Sequence, residues 1–220
     1  MTLLAISQSK PSSWPITVGA EGIAAAQFAR CGFDVLVQAG RDKPWYDLVV
    51  TKGGNLLRVS VKASEDGRWG LTQSFIRRSA EQSISKADCH AAIDLWLGNH
   101  GSRTVCCLVQ FAGTAIDQLP RIYLAAPSEI AERLRDTADR LEHPVLYEQY
   151  EWNESNGYHG TESLPASWLF SPERIQELSA HHAPMLFPSP AMVRAKVTAR
   201  SWSTGPASVH DGVQEAALSA

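Results

Sequence analysis

The chain has 220 residues, 44% of them hydrophobic and 20% charged, with a formal net charge of −3 at pH 7. These values indicate one globular domain that can bury a core, with room for a tail, and the charge alone does not indicate nucleic-acid binding. No apolar run approaches the roughly 20 residues of a membrane helix. The N-terminus, MTLLAISQSK, lacks the basic start and long apolar stretch of a signal peptide. We therefore expect a cytoplasmic protein that does not enter a membrane.

The first predicted helix spans residues 16–31, after a loose leader over residues 1–14. The segment is rich in alanine and ends at Gly32, a residue type that commonly closes helices. Glu21 is the only acid in this helix, and its neighbours are glycine and alanine. Two interpretations of Glu21 are open. It is either an exposed first-turn residue stabilised by the helix dipole or a carboxylate that approaches a phosphate or another backbone.

A β-hairpin is the central prediction. A strand over 33–39 and a loop over 40–45 precede it, and its own strands are 47–51 and 56–62. The turn Lys52–Asn55 contains the two glycines that a tight reversal needs.

Side chains alternate along the second hairpin strand, so Arg58, Ser60 and Lys62 share one face and three apolar residues share the other. Lys62 is then placed one hairpin away from Asp47, which opens the first strand. An acid that faces a lysine across a hairpin is typical of a metal-dependent site that cuts phosphodiester bonds. The ordinary interpretation is that Asp47 caps a turn and Lys62 is a surface lysine on a half-buried strand.

The remaining segments alternate between short apolar runs and helical patterns. Strands are predicted at 68–72, 91–97, 104–111 and 121–125, and helices in part of 75–89, from 127 to about 141, and over 173–180 with Ser171 as N-cap. From residue 184 to 220 the composition predicts a disordered tail. The order of elements predicts an α/β fold with a mixed central β-sheet flanked by helices.

The four cysteines give no metal signature. No C-x-x-C pair occurs among Cys31, Cys89, Cys106 and Cys107. Three of the four lie in apolar segments, where a free thiol behaves as a small hydrophobic group. Cys106 and Cys107 are neighbours on a predicted strand and point to opposite faces, so they cannot chelate one metal ion together.

Residues 15–125 resemble the PD-(D/E)XK nuclease superfamily, and most closely its branch of intron-associated homing endonucleases and Holliday-junction resolvases. The motif of that superfamily is an aspartate that opens one strand and a carboxylate-x-lysine on the next, often with a glutamate from the preceding helix. The matching residues are Asp47, Ser60-Val61-Lys62 and Glu21. The resemblance implies a restriction-endonuclease-like α/β/α sandwich over 15–183.

The resemblance also implies a magnesium site, with manganese as a substitute. Asp47 is the expected principal ligand, Glu21 a second ligand through water and the Val61 carbonyl a third, while Lys62 orients the attacking water. The chain departs from the motif at Ser60, where a carboxylate or glutamine is expected. A serine could hold a water but not replace a charge, so we expect weaker Mg²⁺ binding.

The expected partner is DNA. Residues 1–90 hold 11 Lys and Arg against 8 Asp and Glu, so a basic excess accompanies the hairpin. Contacts with backbone phosphates are expected from four basic residues, namely Lys52, Arg58, Arg77 and Arg78. Trp45, Tyr46 and Trp69 either stack against bases or are buried. A homodimer is expected by analogy alone.

Two hypotheses therefore follow from the sequence. The first is a divalent-metal-dependent DNA endonuclease. The second is a catalytically silent nucleic-acid-binding protein that keeps the nuclease fold but has lost the motif carboxylate at Ser60. Other enzyme classes have little support, because the chain contains no G-x-S-x-G, H-E-x-x-H or P-loop motif.

Overall fold

A computed structural model of the protein describes residues 13–38, 45–76, 84–153 and 159–180. Most of the predicted leader and the predicted tail from residue 184 lie outside these ranges. The helices are α1 (Ser13–Arg30), α2 (Lys86–Gly98), α3 (Pro127–Leu141) and α4 (Pro172–Ala180). The strands are β1 (Asp34–Val37), β2 (Leu48–Lys52), β3 (Asn55–Ser64), β4 (Arg68–Trp69), β5 (Thr104–Gln110), β6 (Arg121–Ala125), β7 (Leu146–Tyr147), β8 (Gln149–Asn153) and β9 (His159–Ser163).

The central sheet has five strands in the order β1-β2-β3-β5-β6. β3 and β5 run parallel, and the other neighbouring pairs of this sheet are antiparallel. Parallel neighbours require a crossover connection, and α2 lies between β3 and β5 in the chain. The predicted mixed central sheet is therefore confirmed.

Helices cover both faces of this sheet. Ala24 and Phe28 of α1 belong to one buried cluster together with Val61 of β3, and α4 contributes to the same cluster. Trp96 of α2 and Leu134 of α3 belong to a second cluster on the opposite face. The prediction of a sheet flanked by helices is therefore confirmed. Within the described ranges, no helix is long and apolar enough to cross a membrane.

Helix α1 ends as its sequence predicts. Gly32 has a φ of +80°, the left-handed conformation that glycine adopts without steric cost. The Phe33 N–H donates to the Phe28 carbonyl at 3.2 Å, as in a Schellman motif, and the two rings pack edge to face at 5.9 Å.

The hairpin is also confirmed. β2 and β3 pair from Leu48 opposite Val59 to Lys52 opposite Asn55. Gly53 and Gly54 both have positive φ, +57° and +84°, as a two-residue type I′ turn requires.

The prediction of a strand over 91–97 is wrong, because these residues belong to α2. The Ser85 side chain accepts from the Asp88 N–H at 3.2 Å, and the Asp88 carboxylate accepts from the Ser85 N–H at 3.0 Å. This capping box fixes a helix start. The buried residues then follow at helical spacing, at Cys89, Ala92, Ile93 and Trp96.

The other elements agree with the sequence in part. α3 and β6 occupy the predicted segments, and Ser171 caps α4 through a 3.0 Å bond to the Arg174 N–H. The segment 68–72 forms only the short strand β4, which pairs with β7 outside the central sheet. The two-stranded sheet of β8 and β9 was not predicted.

Cys106 and Cys107 lie on opposite faces of β5, as the alternation of side chains predicts. Cys106 belongs to the cluster under α2 and α3, and Cys107 to the cluster under α1. Both thiols are free, and burial raises their pKa values, that of Cys106 to about 12.

Candidate active site

The candidate site lies at the edge of β3, just beyond the part of β3 that pairs with β2. β2 starts at Leu48, so the part of β3 beyond Val59 has no β2 partner in register. Asp47 takes the place of the missing strand, because its Oδ2 accepts a hydrogen bond from the Val61 N–H at 2.7 Å. Its own N–H donates to the Val59 carbonyl at 2.8 Å. The Asp47 side chain is therefore held at the open edge of β3.

The backbone of Val61 faces the same edge. The N–H and C=O of one strand residue point to the same neighbouring strand, and the Val61 N–H points to Asp47. The Val61 carbonyl is therefore directed to the edge of β3 that β2 does not cover.

A cavity of about 260 Å³ lies at this edge. It brings together three of the predicted residues, Asp47, Val61 and Lys62, although the chain separates Asp47 from Lys62 by a whole hairpin. The full lining is Thr17, Asp47, Val61, Lys62, Ala63, Arg68, Trp69, Gly70 and Leu71. Acidic, basic and hydroxyl residues thus line one open cavity.

Glu21 lies near this space on the side of α1. Thr17 of α1 lines the cavity, and Glu21 is four residues further along, on the same face of the helix. Glu21 is only 9% exposed, between the buried residues Ala20 and Ala24. The interpretation as an exposed first-turn residue is therefore wrong. Glu21 faces the sheet one helical turn beyond the part of α1 that lines the cavity.

The structure places Ser60 apart from the cavity. Ser60 pairs in register with Cys106 of β5 and is 1% exposed. Its hydroxyl is buried and has no hydrogen-bond partner among the described residues. Ser60 and Lys62 both alternate onto one face of β3, but of the two only Lys62 lines the cavity.

The charges of the site act on the core beneath it. Burial raises the pKa of the Cys106 thiol, the positive charge of Lys62 opposes that shift, and the negative charge of Asp47 adds to it. Burial also lowers the pKa of His100, and the positive charge of Lys62 lowers it further. A 2.8 Å hydrogen bond between Nδ1 and the Trp96 carbonyl acts in the opposite direction and raises this pKa. Lys62 is therefore an electrostatic neighbour of both Cys106 and His100.

Two polar residues of the lining, Thr17 and Arg68, were not predicted as site residues. Thr17 could have been predicted from the sequence, because it lies four residues before Glu21 on the same helix face. Arg68 could not have been predicted from the sequence, because a turn brings it to the cavity. In this turn its guanidinium donates to Asp66 Oδ2 at 2.6 and 3.0 Å. That pairing lowers the pKa of Asp66, with the Arg68 hydrogen bond as the largest cause.

The predicted DNA contacts lie in different places. Lys52 is at the opposite end of β2 from Asp47. Its Nζ donates there to the carbonyl of Cys31, just after the C-terminus of α1, at 2.6 Å. Arg58 is exposed, and its guanidinium lies 5.6 Å from the centre of the Tyr46 ring. Arg77 and Arg78 lie outside the described residues.

The oxygen donors at the cavity are of the kind that a magnesium ion takes. Across the ranges that the structure describes, no three His, Cys, Asp or Glu side chains come together as a metal site. Mg²⁺ does not require such a group, since one or two carboxylates suffice and it keeps several waters. Asp47 supplies a carboxylate at the cavity, and the Val61 carbonyl faces the same edge.

No family model matches the chain, and no curated protein matches it. Among solved structures, a bacterial homing endonuclease, I-Ssp6803I, is similar over 55% of this chain and 73% of that chain. The two share 20% sequence identity, and the TM-score is 0.33. A similarity at this level carries no argument about function, so the function of this chain has to be argued from its own site.

Proposed function

We propose that the cavity between Asp47 and Lys62 is the active site of a divalent-metal-dependent DNA endonuclease. The observation that carries this proposal is the meeting of an acid and a lysine in one open cavity, with the acid fixed by the Val61 N–H. A carboxylate that only capped the end of a strand would not need a lysine and an open cavity beside it.

The residues have distinct roles in this proposal. Asp47 and the Val61 carbonyl would hold the ion, and Glu21 would hold it through a water. When bound, Mg²⁺ or Mn²⁺ neutralises charge on the phosphoryl oxygens and helps to activate a water. The Lys62 ammonium orients the attacking water and offsets the negative charge that develops on the phosphate.

Hydrolysis adds the oxygen of a water to phosphorus and breaks the bond from phosphorus to the leaving sugar oxygen. Ser60 has no role in this scheme because it is buried away from the cavity. Cutting both strands of a duplex takes two such sites, which supports a homodimer as the working form.

The second candidate is a catalytically silent DNA-binding protein. It is favoured by the absence of a third acidic ligand among the described residues, since an uncharged Ser60 stands at the motif position. In this alternative Asp47 serves only to hold the Val61 N–H, and Lys62 contacts a phosphate.

Nicking of supercoiled plasmid separates the two candidates. Wild-type protein is incubated with plasmid in Mg²⁺ or Mn²⁺, with Ca²⁺ and chelator as controls, beside Lys62→Met and the distant surface variant Leu95→Ala. We expect nicking in Mg²⁺ or Mn²⁺ that Lys62→Met abolishes and Leu95→Ala keeps. DNA binding without nicking in any divalent ion would contradict the endonuclease and support the silent protein.

A further inference from the structure

A group of aromatic residues lies directly beside the candidate active site. It consists of Trp45, Tyr46, Phe75 and His100, with the Arg58 guanidinium at its margin, and is called the aromatic patch below. Tyr46 immediately precedes Asp47, and Arg58 shares its face of β3 with Lys62. The charge of Lys62 also acts on His100, so the aromatic patch lies near the cavity that holds Asp47 and Lys62.

Trp45 is more exposed than three other tryptophans among the described residues. Trp69, Trp96 and Trp168 are 2–4% exposed and belong to the core. Trp45 is 50% exposed. A large aromatic ring gains free energy from burial, so a half-exposed ring beside a polar cavity points to a binding surface.

The aromatic patch is held in place by its own contacts. The Trp45 ring lies 5.8 Å from Phe75, with an angle of 30° between the planes, and 6.3 Å from His100. His100 is fixed in turn by its bond to the Trp96 carbonyl and by a 4.4 Å contact with the Trp96 ring. One side of Trp45 is thus supported while half of its surface stays open.

The charge beside the rings is positive. The Arg58 guanidinium lies over Tyr46 and so close to Gly101 that a Cβ there would be 3.0 Å from Nη1. A nucleotide needs a flat apolar surface for its base and a cation for its phosphate. Trp45 supplies the first and Arg58 the second, next to residues suited to phosphodiester chemistry.

We propose that the aromatic patch stacks an unpaired nucleobase, so that the preferred ligand is DNA with unpaired nucleotides at a bulge, fork or branch. In a continuous duplex the base faces are covered by their neighbours and are not available to Trp45. The inference rests on the proposed function for its choice of DNA as the ligand. It goes further by naming the DNA structure that this site prefers.

The test measures binding in Ca²⁺, so that cleavage does not enter the result. Fluorescence anisotropy compares a labelled continuous duplex with the same duplex carrying a short bulge of unpaired thymines. We expect tighter binding of the bulged DNA by about tenfold, since stacking of one base on an aromatic side chain is worth about 1–3 kcal/mol. Trp45→Ala should remove this preference, whereas Trp45→Phe should keep most of it.

Leu95→Ala is the matched control, because Leu95 is 54% exposed on α2, outside the aromatic patch. This variant should bind both DNAs as the wild type does. Equal affinity of the wild type for the two DNAs, or a preference that survives in Trp45→Ala, would overturn the inference. Bulge preference without nicking would refute only the endonuclease, nicking without bulge preference would refute only this inference, and no DNA binding would refute both.

Discussion

The carboxylate of Asp47 accepts a hydrogen bond from the backbone N–H of Val61 at 2.7 Å, immediately before β2 begins at Leu48. One side chain thus completes the hydrogen bonding of β3 and borders the cavity that contains Lys62. A structural and a chemical role are joined in Asp47, and suitable variants separate them.

Asp47→Asn and Asp47→Ala should differ in stability. An asparagine oxygen still accepts from the Val61 N–H, whereas alanine leaves this donor without its partner. Removal of a hydrogen bond to a charged group costs about 1–3 kcal/mol. We expect Asp47→Ala to lower the free energy of unfolding by about this amount and Asp47→Asn by less, as measured by urea denaturation. Equal losses would contradict the role of Oδ2 at the edge of β3.

Ser60 provides a test of burial at the motif position. Its hydroxyl is buried without a partner among the described residues, so Ser60→Ala removes an uncompensated polar group. We expect a change in unfolding free energy within about 1 kcal/mol, on the stabilising side, and a nicking rate close to that of the wild type. Ser60→Glu should destabilise the protein by more than about 3 kcal/mol, because it buries a charge beside Cys106. A stable Ser60→Glu protein that binds Mg²⁺ more tightly would show that Ser60 reaches the site.

The acid dependence of stability should show the contribution of Glu148. Arg121 donates to its two oxygens at 2.6 and 2.8 Å and Tyr123 donates at 2.7 Å, which lowers the pKa of Glu148, with the Arg121 bond as the largest cause. A carboxyl group whose pKa is lower in the folded state stabilises the protein above its unfolded pKa of about 4.3 and loses this effect as the pH falls through the folded pKa.

We therefore expect Glu148→Gln to be less stable than the wild type by about 1–2 kcal/mol at pH 7. The difference should shrink below about pH 4.3, as measured by urea denaturation at a series of pH values. A difference that stays constant between neutral and strongly acidic pH would argue against the ionised contact with Arg121.

Two basic residues predicted to contact phosphates should behave differently. Arg58 borders the aromatic patch, so Arg58→Gln should reduce the slope of log affinity against log salt concentration by about one. Lys52 instead bonds the Cys31 carbonyl behind α1. Lys52→Met should keep the slope and lower the unfolding free energy by about 0.5–1 kcal/mol. Titrations of labelled DNA at several salt concentrations measure both slopes, and identical slopes would contradict this division.

The sequence predicted the elements whose signals are local. The glycine turn at 53–54 and the glycine that ends α1 both require positive φ, and both were recognised from residue type. The prediction of a strand over 91–97 was wrong because a seven-residue apolar run fits a strand or a buried helix equally well. The capping box of Ser85 and Asp88 was the local signal that would have decided for a helix.

The candidate site could be predicted only where alternation along one strand was sufficient. Alternation placed Lys62 and Ser60 on one face, but it could not show that β5 covers Ser60 and leaves Lys62 at the cavity. The division of the tryptophans into the exposed Trp45 and the buried Trp69 depends on β4, which pairs with a strand about 80 residues away. Contacts between such distant segments leave no pattern in the sequence around either residue.

The most direct test of the central claim is the nicking rate of Asp47→Asn in Mg²⁺, compared with wild type at equal DNA occupancy. Asparagine keeps the bond to Val61 and the shape of the site while it removes the negative charge that holds the ion. We predict a folded protein that binds DNA as the wild type does and nicks at least about a hundredfold more slowly. Nicking at the wild-type rate by this variant would show that Asp47 only completes the edge of β3 and that the chemistry lies elsewhere.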